Sequence, residues 1–215
     1  MPDDEGLALA HVASLVGSLA GAGQAIIEIG AYCGKSTLYL AFGILAAVET
    51  SGATVDPAGA ETATVVFSID HHHGSEENQA GWEHHDAALV DARTGRMDTL
   101  PTWRSTIEAA GVEDRVVAVV GDSPTIATRW TTPAGLVFID GGHGAEPAWA
   151  DYRGWAPKVA IGGWLAIHDV FPDPSDGGRA PYELYCQAVS SGAFAEDGDL
   201  GRGSLRVLQR VSEGI

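Results

Sequence analysis

Residues 25–37 read AIIEIGAYCGKST. The first half is an apolar, β-branched run of the kind that forms a buried strand. The second half is a glycine turn with hydroxyl residues where a helix can begin. It ends in Gly-Lys-Ser, as a nucleotide-phosphate loop does, and that loop requires G-x-x-x-x-G-K-[ST]. Five positions before Gly34 stands Ile29, and Gly30 is one residue too close, so the backbone cradle is one residue short. The pattern is not G-x-G-x-x-G either, because Tyr32 occupies the place of the second glycine. What remains is a strand carrying Glu28, a turn through Gly30 and Gly34, and a helix from about Ser36. Taken alone, such a turn needs no ligand.

The rest of the chain repeats the theme. TVVFSID (64–70), RVVAVVGD (115–122), GLVFIDGG (135–142) and GWLAIHDV (163–170) are further strand-like runs. Helix-like stretches alternate with them: Leu7–Ala20, Ser36–Val48, Leu100–Ala110, Pro124–Arg129, Ala145–Trp155 and one around Tyr182–Ser190. This alternation predicts βαβ units and a parallel sheet covered by helices on both faces. The end differs: GAFAED and GSLRVLQR leave no room for a helix between them and predict an antiparallel hairpin at one edge. With no linker or internal repeat, residues 1–215 are expected to form one domain. Two segments interrupt the pattern, Thr50–Glu61 and the His-, Glu- and Gly-rich 71–97. The second is too long for a plain connection and is expected to be a lid or substrate wall.

Composition narrows the partners. Twelve Lys and Arg against 29 Asp and Glu give a formal charge of −17. A field of that sign repels phosphate backbones and anionic lipid, so neither nucleic acid nor a membrane surface is expected as a partner. The two cysteines, Cys33 and Cys186, form no CxxC pair, which argues against a disulfide framework or a cysteine-rich zinc site. No apolar run is long enough to span a membrane, and MPDDEG is acidic where a signal peptide carries positive charge, so a cytoplasmic location is expected. The apolar Leu7–Ala20 helix could pack on its own sheet or on a second copy in a homodimer.

Four successive strands end in acidic groups: Asp70, Asp122 with Ser123 beside it, Asp140, and Asp169 after His168. Singly, each is an ordinary loop or cap residue. Together on one rim, beside the glycine turn, they lie where an open α/β sheet binds ligands. Asp70 could accept both hydroxyl hydrogens of a ribose there.

With these residues in place, the chain resembles the class I S-adenosylmethionine-dependent methyltransferases. Within that family it is most similar to small metal-dependent O-methyltransferases of the macrocin and mycinamicin sugar type. EIGAYCGKST matches the family's first motif and FIDGGH its fourth-strand motif, while the His-rich segment and HDVFPDP resemble actinobacterial sugar or polysaccharide O-methyltransferases. The resemblance implies a Rossmann-like seven-stranded sheet, mostly parallel, with an antiparallel last strand. It implies that Glu28, Gly30 and the Gly34 turn hold the methionine end of S-adenosylmethionine, with Ser36 on its carboxylate. Asp70 would hold the ribose, and Asp122 the adenine amino group with Ser123 beside it. Gly30 to Asp70 is longer than the roughly 20-residue spacing of a compact dinucleotide unit, and the Thr50–Glu61 insertion accounts for the excess. Relatives that use a metal set acidic residues after the fourth and fifth strands, which points to Asp140, His168 and Asp169 as ligands of a divalent cation, Mg²⁺ best suiting the oxygen donors. His168 stands where the relatives have an acid, which leaves the identity of the metal open.

O-Methylation requires removal of a hydroxyl proton during attack, by a base or with help from a cation. His143, three residues beyond Asp140, is the candidate base; the alternative is a histidine that caps the helix starting near Ala145. His72, His73, Trp82 and Tyr182 are candidates for the wall of a sugar or oligosaccharide pocket. The expected activity is methyl transfer to a hydroxyl of a sugar or glycoside. A catechol-like phenol is the alternative acceptor, and a non-catalytic module binding a small molecule is the alternative of another class.

Overall fold

The computed structural model describes residues 1–18, 25–51, 64–79, 81, 85–173, 176 and 178–214. Its strands are β1 (Ala25–Ile29), β2 (Val65–Asp70), β3 (Val116–Val120), β4 (Ala134–Ile139), β5 (Val159–Ile167), β6 (Phe194–Glu196) and β7 (Arg206–Arg210). They form one sheet in the order β3-β2-β1-β4-β5-β7-β6. The first five strands are parallel, and β7 runs antiparallel to both β5 and β6. The expected hairpin is therefore present, and β7, the later strand in the chain, is inserted between β5 and β6.

Burial follows position in the sheet. β1 and β4 lie at the centre, and every one of their residues is buried, as near-continuous apolar runs require. β3 is an edge strand, and Val117 and Val120 are exposed. Alternation along β1 sends Ile26 and Glu28 to one face, Ile27 and Ile29 to the other.

Helices α1 (Asp3–Ser18) and α2 (Lys35–Ser51) cover the first face, where Leu9, Val12, Leu40 and Ile44 pack on Ile26, Leu136 and Phe138. α3 (Leu100–Ala110) joins them through Trp103 and Ile107. The second face carries α4 (Ser123–Ala127), α5 (Ala145–Trp155) and α6 (Ala180–Ser190), with Tyr152, Trp155 and Leu184 on Ile27, Val137 and Leu165. Helix α1 begins four residues before the sequence-based expectation, because Asp3, Asp4 and Glu5 suit the positive end of a helix. Helix α3 ends at Gly111 in the left-handed conformation, with φ 66°.

The 71–97 segment is not featureless. It holds short 3₁₀ turns at Glu76–Asn78 and Ala87–Leu89 and a bridge between Val90 and Met97. Among the described residues, no helix is long and apolar enough to cross a membrane.

Candidate active site

The strand order reverses direction between β1 and β4, and the crevice at such a point is where open α/β sheets take ligands. A cleft of about 1330 Å³ lies there, along the C-terminal ends of the parallel strands. Its wall includes Gly30, Ser36, Asp70, Asp122, Ser123, Asp140, His143 and Asp169, which the sequence singled out. The 71–97 segment contributes His71, Gly74, Ser75, Glu76 and Asn78 to the same wall.

The glycine turn is built for close approach. Gly30 has φ 86°, and a Cβ there would collide with the Asp140 carbonyl, so only glycine lets the turn meet the loop after β4. Gly34, with φ 92°, lies behind the turn against Trp103 and Thr106 and does not line the cleft. Asp70 secures the turn: Oδ2 accepts from the backbone N–H of Ala31 at 3.0 Å and of Tyr32 at 2.9 Å, and Oδ1 accepts from His72 N–H at 2.7 Å. Lys35 donates to Asp3 at 2.8 Å and to the Met1 carbonyl at 3.0 Å. It ties down the N-terminus, as a phosphate-loop lysine would not.

Glu28 lies beneath the cleft and not in its wall. It is fully buried and accepts from the hydroxyls of Ser36, Thr37 and Ser68, each at 2.6 Å. Burial pushes its carboxyl up to about 7, against the three donors that favour the ionised form. Where the sequence led to the expectation of an amino group at the methionine end, Glu28 holds a polar knot joining β1, β2 and α2. The Ser36 hydroxyl, expected on a ligand carboxylate, belongs to that knot.

Asp122 caps α4, its Oδ2 accepting from the Thr125 N–H and hydroxyl. The Ser123 hydroxyl accepts from Trp155 Nε1 at 2.8 Å.

The acidic rim at β4 and β5 differs from expectation in one partner. Asp140, His143 and Asp169 can place their ligand atoms within 4.8 Å of one another. His168 sits beneath this trio with both ring nitrogens engaged. Nδ1 meets Asp140 Oδ1 at 2.9 Å and Asp169 Oδ2 at 3.2 Å, and Nε2 meets Glu5 Oε2 at 2.7 Å. Burial would lower its pKa, but Asp140 and Asp169 outweigh that and carry it up to about 11. An imidazolium donating from both nitrogens has no lone pair for a metal. His143 takes the place the sequence gave to His168, with Nε2 2.9 Å from Asp169 Oδ2. Burial pushes the Asp169 carboxyl up, yet His143 and His168 outweigh it and hold it well below the usual range. Asp169 has φ 55°, a left-handed backbone that turns its carboxylate toward both histidines.

Of the expected acceptor residues, His72 is buried, with Nδ1 2.7 Å from the Thr99 hydroxyl, and fastens the 71–97 segment to the start of α3. His73 lies 3.0 Å from the Met97 carbonyl. It is His71, between Asp70 and His72, that lines the cleft. Tyr182 packs half-buried against the second-face core, away from the cleft. Trp82 falls outside the described residues.

A family model described as a methyltransferase domain matches residues 27–170, well over half of the chain. The chain belongs to that methyltransferase family. Solved structures agree on the fold. The O-methyltransferase NovP aligns at TM-score 0.64 and 17% identity over 95% of this chain and 79% of its own. Cofactor-bound Rv0187 from MTB aligns at 0.63 and 18% over 98% and 81%. The SAH-bound Podospora anserina methyltransferase PaMTH1 aligns at 0.55 and 14% over 88% and 72%.

Two site residues of this methyltransferase were not singled out from sequence. Glu5 stands on the buried stripe of α1 with Leu9, Val12 and Val16, and Asp151 on that of α5 with Ala148, Tyr152 and Trp155. A carboxylate at a core position of a helical stripe was the available signal.

Proposed function

We propose that the chain transfers a methyl group from S-adenosylmethionine to a hydroxyl of a sugar, glycoside or oligosaccharide. The observation that carries this reading is the meeting of His143, Asp169 and Asp140 in the wall of a cleft that begins at the Gly30 turn. Asp70 and the Gly30 turn would hold a nucleoside cofactor at the ends of the first parallel strands, and the bound cofactor would supply an electrophilic methyl group. The lid residues Ser75, Glu76 and Asn78 give the opposite wall a polar character suited to a hydroxyl-rich acceptor.

In the reaction, the acceptor oxygen attacks the methyl carbon in line. The O–C bond forms as the C–S bond breaks, the sulfur keeps the electron pair, and the sulfonium charge is lost. The hydroxyl proton passes to His143, and Asp169 orients that ring and stabilises the imidazolium. The donor set also fits a divalent cation. Asp140 and Asp169 would hold such an ion, which supplies Lewis acidity that lowers the pKa of a bound hydroxyl.

Calorimetric titration with S-adenosylhomocysteine, with ATP and NAD as comparators, tests the cofactor. One-site binding of S-adenosylhomocysteine alone is expected; uptake of ATP or NAD instead would refute the reading. Methyl transfer to sugar and phenol acceptors, with and without Mg²⁺, then tests the acceptor, and turnover of phenols alone would move the activity to the catechol type.

A further inference from the structure

We propose that Glu5 is a positioning residue of the methyl-transfer site: through the His168 ring it fixes the carboxylates of Asp140 and Asp169 where they meet His143. The inference rests on the methyl-transfer reading above and deepens it, because it places part of the site's support in α1, a helix with no residue in the cleft wall.

An unbroken line of side chains runs from α1 to the cleft. Glu5 Oε2 lies 2.7 Å from His168 Nε2. His168 Nδ1 lies 2.9 Å from Asp140 Oδ1 and 3.2 Å from Asp169 Oδ2. Asp169 Oδ2 in turn lies 2.9 Å from His143 Nε2. Glu5 and His168 are buried, whereas Asp140, His143 and Asp169 line the cleft.

The turn before β7 is shaped around Glu5. Ser204 donates to Oε1 from both its N–H and its hydroxyl, and a Cβ on Gly203 would collide with that same oxygen. With Oε1 held, Oε2 faces the ring. A ring whose Nε2 is engaged by Glu5 presents Nδ1 to the two acids and cannot flip without breaking that bond.

Stability alone does not account for the cluster. Buried ionic groups carry a desolvation penalty, and replacing a whole such cluster with well-packed apolar residues is often neutral or stabilising. Helix α1 already packs Leu9, Val12 and Val16 into the first-face core. What the buried polar groups add, and leucines would not, is a fixed direction for Asp140 and Asp169. A displacement of about 1 Å in a reacting site can lower the rate by about 100-fold.

The test uses the acceptor that the wild type turns over fastest in the sugar and phenol screen. Glu5→Leu removes the hold on the ring and keeps bulk beneath α1. Its kcat is expected to fall about 10- to 100-fold, with the KM for S-adenosylmethionine and the affinity for S-adenosylhomocysteine within about threefold of wild type. Gly203→Ala keeps the Glu5 carboxylate but displaces Oε1, and is expected to show the same split to a smaller extent; it carries the test if Glu5→Leu does not fold. Glu5→Gln can accept from Ser204 through its amide oxygen and donate to His168 Nε2, and is expected to recover kcat to within a few-fold of wild type. Crystal structures of the S-adenosylhomocysteine complexes give a readout that needs no acceptor. The Asp169–His143 contact should open by more than about 0.5 Å in Glu5→Leu and Gly203→Ala and persist in Glu5→Gln. An unmoved Asp169 carboxylate, an unchanged kcat, or a kcat that falls only together with cofactor affinity overturns the inference and leaves the methyl-transfer reading standing. Failure of the wild type to bind S-adenosylhomocysteine overturns both.

Discussion

His143 and Asp169 sit 2.9 Å apart in the cleft wall, a distance at which a carboxylate can orient a base and share its charge. His143→Ala is expected to lower kcat by about 10²–10⁴-fold and to leave S-adenosylhomocysteine affinity within a few-fold. Single-turnover methyl transfer and calorimetry read the two effects apart, and a near-normal kcat would remove His143 from the chemistry. Glu28 makes a different prediction. Its ordinary carboxyl titrates at 4.5, but the folded protein keeps the proton up to about 7. Between those values the folded state binds more protons than the unfolded chain, so stability falls as pH rises. Subtracting the curve of Glu28→Gln from that of the wild type should isolate a decline of roughly 3 kcal/mol or less across that window. A flat difference would mean that the three hydroxyls keep Glu28 ionised throughout. The strand-end acids were legible because an acid closing an apolar run stands out. Glu5 was not, because its partner His168 lies 163 residues away and only the folded sheet brings them together.

At the scale of elements, one side chain of helix α1 reaches the acidic rim at β4 and β5. Glu5 accepts from His168 through Oε2, and from the Ser204 N–H and hydroxyl through Oε1. It thereby joins α1, the end of β5 and the turn before β7. Glu5→Ala leaves a buried imidazolium without one carboxylate and should lower the unfolding free energy by about 3–5 kcal/mol in urea titration. A loss below about 1 kcal/mol would show that the N-terminal helix is held by its apolar stripe alone. Element types were readable because the strands are short apolar runs and the helices carry a 3.6-residue stripe. Boundaries shifted where chemistry other than periodicity decides. Asp122 starts α4 at Ser123 by capping it, and the antiparallel partner β7 pairs with β5 only from Trp164 onward, although β5 begins at Val159.

For the molecule as a whole, the surplus of negative charge and the carboxylates of the rim favour cation uptake. If Asp140 and Asp169 bind a divalent ion, Mg²⁺ or Mn²⁺ at about 100 times its dissociation constant stabilises the fold by about 2.7 kcal/mol. In a chain of this size that corresponds to a rise in Tm of roughly 5–10 °C. Asp140→Asn and Asp169→Asn should abolish the rise. A rise that persists in both variants would locate the ion elsewhere.

The insertion of β7 between β5 and β6 also bears on how the chain acquires its shape during synthesis. When β6 emerges from the ribosome, the hydrogen-bonding edge of β5 is still bare, since the strand that joins the two follows it in the chain. A nascent methyltransferase at that stage presents an open, apolar sheet edge, which is the kind of surface on which chains pair with one another. Arrival of Arg206–Arg210 closes it, and Ser204 arrives at Glu5 just ahead of that strand. Sheet closure and anchoring of the first helix thus become one late event, and a chain that ends before residue 204 has neither.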